Sequence, residues 1–227
     1  MSDFDSDGSS EADWNDRGDL AWNEFDWERY LREQDETTNR YIAYYENFLN
    51  HPQRIDEVAR HMGWDDAQWD AQESTPSGDF SGQDSAVEDY GIEPDVYTPH
   101  KNPIFISTRA LYLRARRAWE LLATNPRKVP QELALNFLSA LHEGDSLTQQ
   151  AVHALEFGDY AMSISLFKRA LATLNRTLAI INADSTPAVA AYRRDMLVTF
   201  FDIREIWLRV ISECRNELER PVEDDED

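Results

Sequence analysis

Apolar residues recur at helical spacing through most of the second half of the chain and through one stretch of the first. The clearest case is Tyr192, Met196, Phe200, Ile203, Trp207, Val210 and Cys214, spaced by 4, 4, 3, 4, 3 and 4. That spacing is the seam of a helical bundle and predicts one helix from Thr186 or Pro187 to about Leu218. Leu197, Phe201 and Ile206 widen its apolar face, so more than one neighbour is expected to cover it. Three segments precede it. Residues 104–124 place Ile104, Leu111, Ala115, Ala118, Leu121 and Leu122 on one face and close at Asn125-Pro126. A second segment starts at Pro130, a favoured first-turn residue, and reaches Phe157, with Gly144-Asp145 as a candidate break. The third runs over 160–181 after the turn signal Gly158-Asp159. Short connections make sequential helices antiparallel neighbours, so the expected fold is all-α, an up-and-down bundle of about four helices.

In the first half, Trp22, Phe25, Trp27, Tyr30, Leu31, Tyr41, Ile42, Tyr45, Phe48 and Leu49 follow an approximate helical period. They predict an extra amphipathic helix with a candidate interruption at Thr37-Thr38, ended by His51-Pro52. A short helix over 54–62 should stop at Gly63. Residues 65–102 hold Ser, Gly, Pro and Asp without sustained period and read as a flexible linker. The expected organisation is a disordered acidic tail (1–18), an acidic-aromatic helical arm (19–64), the linker (65–102), the bundle (103–220) and a second acidic tail (221–227).

Charge sharpens this division. The net charge of −22 is carried unevenly: residues 1–100 hold 26 Asp and Glu against 6 Arg, net −20, whereas residues 101–220 hold 13 against 16 Lys and Arg, net +3. Acidic arms flanking a mildly basic bundle favour basic partners and repel polyanions, so the full-length chain is not expected to bind nucleic acid. No run approaches the roughly 18 apolar residues of a membrane span. The acidic start lacks the basic and then apolar order of a signal peptide, so a cytoplasmic, membrane-free protein is expected.

Candidate chemistry is sparse. His51, His61, His100, His142 and His153 are scattered over different segments, and no Glu stands three residues before a His as a di-iron bundle requires. No catalytic, metal or cofactor residue is assigned. Cys214 sits on the seam and is expected in the core. Residues 147–171, with Ala151, the Gly158-Asp159-Tyr160 turn, Phe167 and Ala170, resemble one tetratricopeptide hairpin. Ser163 and Asn175 depart from that pattern and no second copy follows at 34 residues, so a tight hairpin inside the bundle is the expectation. Arg54 and His61, separated by six residues, resemble the arginine–histidine pair of HEPN-type ribonucleases, which implies a helical-bundle ribonuclease as the least favoured alternative.

The arm and the arginines carry the functional expectation. Trp22, Phe25 and Trp27 would anchor a partner, while Asp19, Glu24, Asp26 and Glu28 would steer toward a basic or amphipathic protein surface. Arg114, Arg116, Arg117, Lys168, Arg169, Arg193 and Arg194 form a candidate basic surface on the bundle. Arginine stacks on aromatic rings and forks onto carboxylates, so this surface could dock the chain's own arm. The sequence therefore reads as a non-enzymatic interaction or adaptor protein with an acidic-aromatic recognition arm. The alternative is a polyanion- or nucleic-acid-binding bundle masked by that arm.

Overall fold

Local chemistry sets the helix boundaries in a computed structural model that describes residues 22–64 and 99–220. Helix α1 spans Glu24–Asn47 and opens with a capping box: the Asn23 side chain accepts from the Phe25 and Asp26 amides, and the Asp26 carboxylate accepts from the Asn23 amide. Helix α2, Arg54–His61, is closed by Gly63 at φ +79°, a left-handed position that suits glycine. A 3₁₀ turn at Pro99–Lys101 leads into α3, Pro103–Ala123. There the Asn102 side chain accepts from the Ile104 amide at 2.8 Å and from the Phe105 amide at 3.3 Å. Asn102 also donates to Glu156 at the far end of α4, Gln131–Glu156, tying the start of one helix to the end of the next. Gly158, at φ +73°, turns the chain into α5, Tyr160–Ala183, whose Asp159 cap accepts from the Met162 amide at 2.9 Å. Pro187 opens α6, Pro187–Glu219. The tails 1–18 and 221–227, the linker over 65–98, and Asp19 lie outside the described residues.

Among the described residues all regular structure is helical. Helix α3 packs on α4, α4 on α5, α5 on α6, and α6 back on α3, which closes the expected antiparallel bundle of four. Every residue of the α6 seam from Tyr192 to Cys214 is buried. Each such large side chain withdrawn from water contributes roughly 1.5–3 kcal/mol. Trp119, Phe137 and Tyr192 interlock at ring separations of 4.3, 5.1 and 5.6 Å, in tilted and edge-to-face geometry. Their polar ends are satisfied by backbone: Tyr192 donates to the Ala115 carbonyl at 2.9 Å and Trp119 to that of Ala134 at 3.2 Å. In the α4–α5 hairpin Ser163 is buried and donates to the Ala151 carbonyl at 3.0 Å, so the hydroxyl is accommodated by the neighbouring helix.

Several expectations are corrected. Helix α4 runs unbroken through Gly144-Asp145. Gly144 is there for space: a Cβ at this position would lie 2.3 Å from the Tyr112 hydroxyl oxygen, which packs against it from α3. Helix α1 also continues through Thr37-Thr38, since Thr37 turns its hydroxyl back onto the Glu33 carbonyl and Thr38 is buried. On α6, Leu197 and Phe201 point outward, Ile206 points inward, and the second inward row is completed by Thr199 and Asp202. Leu121 on α3 is exposed as well.

Helices α1 and α2 share the bundle's core. Tyr41 and Tyr45 of α1 and Ile55 and Val58 of α2 belong to the same buried cluster as the bundle residues. The arm thus packs in cis, chiefly on α3.

Candidate interaction site

The C-terminal half of α1 is clamped by charge as well as by burial. Asp202, inside the α6 face, receives the Arg54 guanidinium on both oxygens, Nε and Nη2 each at 2.5 Å, and the Tyr45 hydroxyl at 2.5 Å. Three helices therefore meet on one buried carboxylate. Burial and the neighbouring Asp202 charge raise the Tyr45 pKa, keeping the phenol a donor, while its hydrogen bonds to Asp202 raise that of Arg54. Arg114 reinforces the joint from α3: it donates to Thr199 at 2.8 Å, reaches Glu46 at 3.5 Å and lies 5.7 Å from the Tyr45 ring centroid. At the outer edge Arg209 of α6 pairs with Asp56 of α2 at 2.5 Å.

The N-terminal half continues the same stripe beyond this joint. At about 100° per residue, positions 27, 30, 31, 38, 41 and 45 fall within one sector of the helix roughly 100° wide. Thr38, Tyr41 and Tyr45 are buried, whereas Trp27 keeps 40% and Leu31 45% of its surface exposed. Tyr30, between them, is buried and meets His100, which in turn meets Phe105 at the start of α3. Trp22 folds back onto the edge of Trp27 at 4.9 Å and onto Tyr30 at 5.2 Å. Acids border the stripe on both sides, Glu24, Glu28 and Asp35 along one edge and Asp26 and Glu33 along the other. Asp26 and Glu28 also pair with Arg29 and Arg32 at 3.0 and 2.8 Å.

The structure thus brings Trp22 and Trp27 together and flanks them with Glu24, Asp26 and Glu28. Phe25 stands apart, 75% exposed and on nearly the opposite side of α1 from Trp27.

The seven basic residues are dispersed. Arg114 is sunk beneath α1, Arg116 is half-buried beside Glu120, and Arg117 donates to Asn39 of α1 at 2.9 Å. Lys168 and Arg169 are exposed on α5. Arg193 binds the Ile181 carbonyl, and Arg194 faces solvent beside Asp195. Among the described residues Arg114 and Arg117 are the members of this group that contact the arm, and the ring Arg114 stacks on is that of Tyr45, while Trp22 and Trp27 engage each other.

Arg54 and His61 also diverge in role. The arginine is held by Asp202, while exposed His61 lies against the Tyr44 and Phe48 rings at 5.6 and 4.8 Å. Among the described residues no group of three or more His, Cys, Asp or Glu could hold a metal ion, and no helix is long and apolar enough to cross a membrane. Cys214 is buried, and that burial pushes its thiol pKa up to about 11.

Asp202 was not singled out by sequence. An acid two residues from Phe200 and one from Ile203, in phase with Thr199 and Ile206, is the signal that could have marked it as paired. Comparison with protein-family models, curated proteins and solved structures gave no match.

Proposed function

We propose that this protein acts by binding rather than by catalysis, as an interaction or adaptor protein whose α1 tip receives a basic partner segment with an apolar face. One observation carries the reading. The stripe buried at Tyr41 and Tyr45 runs on, half-exposed, through Leu31 and Trp27, with acids along both borders. Because the far half of α1 is fixed in the core, this tip is presented at little ordering cost, which is where a pre-organised site gains affinity. Trp27 and Leu31, backed by Trp22, supply the apolar contact, and Glu24, Glu28 and Asp35 supply steering.

The test is titration of the full chain with a synthetic Leu- and Lys-rich amphipathic helical peptide, beside a Glu-for-Lys version of the same pattern, following backbone amide shifts over residues 24–36. Saturable shifts with the basic peptide alone, lost in Trp27→Ala/Leu31→Ala and largely kept in Phe25→Ala, are expected. Equal response to both peptides, or indifference to the double substitution, overturns the reading.

A second reading, a polyanion-binding bundle masked by its arm, draws on Arg114 and Arg117 being engaged by Glu46 and Asn39. It requires that Asp202→Ala, by loosening the arm, confer salt-sensitive binding to single-stranded RNA that the wild-type chain lacks.

A further inference from the structure

Helices α1 and α4 both lie against α3, and a cleft of about 230 Å³ remains between them. Arg109 and Arg116, seven residues apart and so on one face of α3, line its floor together with Tyr112. Asp35 of α1 lines one wall, and His142 and Asp145 of α4 line the other. This volume lies below the roughly 300–1,000 Å³ of drug-sized pockets and suits a molecule of a few heavy atoms.

The charges in the cleft are incompletely matched by the protein. Among the described residues Arg109 forms no ion pair; its guanidinium lies 5.9 Å from the Phe105 ring centroid. Arg116 reaches Glu120 only at 3.7 Å. Asp145 is half-buried, and no cation comes within ion-pair distance of it among the described residues, although Arg109 and Arg116 are close enough to bias its ionisation. Burial raises its pKa, and Gln149, the two arginines and His142 pull the other way. The Tyr112 hydroxyl beneath is enclosed without a partner, wedged against Gly144, so the floor is rigid by packing.

We propose that this cleft binds a small oxyanion, a phosphate or carboxylate group, held between the Arg109 and Arg116 guanidiniums. The planar fork of arginine matches such oxygens bidentately, and two forks on one helix face with unused donors form the complementary cradle. Asp145 beside them selects for a ligand that also carries a hydroxyl or amine donor. The chain's charge of −22 repels anions at long range, so saturable anion binding would have to come from a local site. This proposal goes beyond the α1-tip reading and stands without it, since Arg109 and Arg116 belong to α3 and take no part in that reading.

The experiment is an NMR titration of the full-length chain with inorganic phosphate and, separately, succinate, against NaCl of matched ionic strength. The arginine Nε–H signals of Arg109 and Arg116 and the amides of 109–117 and 141–145 are followed. Saturation with at least one anion, at a Kd near or below about 1 mM, is expected. Phosphate alone assigns a phosphoester class, and succinate alone assigns a carboxylate class. Arg109→Gln or Arg116→Gln should weaken binding about tenfold with an unchanged amide spectrum elsewhere. Asp145→Asn, which removes a like charge, should tighten binding of succinate, which brings no donor for that carboxylate, and Arg194→Gln should leave binding of either anion unaltered. Linear shifts that match the NaCl control, or saturable binding indifferent to both arginine substitutions, overturn the proposal.

Discussion

The two halves of α1 carry one stripe of aromatic and aliphatic residues and meet different surroundings. From Thr38 onward the stripe is buried, chiefly against α3, and tied to α6 by the Tyr45–Asp202–Arg54 contact; toward the N-terminus it projects past that joint with Trp27 and Leu31 half-exposed. Periodicity is the same in both halves, so it does not separate a core helix from a recognition helix. What separates them is whether the bundle reaches that far, together with a carboxylate 157 residues from Tyr45 in sequence.

This contrast can be broken in order of effect. Tyr41→Ala removes a fully buried aromatic and should cost about 3–5 kcal/mol of unfolding free energy, read by denaturant titration. Asp202→Ala leaves Arg54 and Tyr45 without their common acceptor and should cost about 3 kcal/mol, with α1 and α2 losing exchange protection before the bundle does. Trp27→Ala should cost about 1 kcal/mol or less, because its side chain is already 40% exposed. A loss at Trp27 as large as that at Tyr41 would erase the distinction.

A pH-dependent effect probes the cleft under the middle of α1. A carboxyl whose folded pKa is raised binds more protons folded than unfolded, so its contribution to stability falls as pH rises through the interval between its ordinary and its raised value. Asp145→Asn should therefore stabilise the protein above that interval and lose its advantage below it, in thermal melts taken from pH 3 to 7. Equal gains at both ends would mean that burial of the charge is not the cause. The smallest effect is at Cys214: a buried thiol with its pKa pushed up to about 11 should react with disulfide reagents at neutral pH far more slowly than the unfolded chain does.

The bundle was legible because its information is local. The 4-4-3-4-3-4 spacing on α6, Pro103 and Pro187 at helix starts, and Gly63 and Gly158 at stops each act within a few residues. Gly144 misled for the complementary reason: the same residue type marks a break when it serves the backbone and a close contact when, as here, Tyr112 needs the space. Leu197 and Phe201 read as core because an apolar residue beside a seam is ambiguous, whereas Asp202 carried no signal of its own because its partners lie on helices that periodicity does not connect. The arm's aromatic anchors were partly legible. Trp22 and Trp27 come together, but Phe25 differs from Trp27 by two positions, which on a helix is the far side.

The most direct test is amide hydrogen exchange on the full-length chain, comparing residues 28–34 with residues 40–47 of α1. Protection approaching that of the bundle helices is expected over 40–47, with markedly faster exchange over 28–34 and loss of the difference in Asp202→Ala as the anchored half also opens. Uniform protection along α1 would make the tip part of the core, and rapid exchange over 40–47 in the wild-type chain would mean that the clamp on Asp202 does not hold.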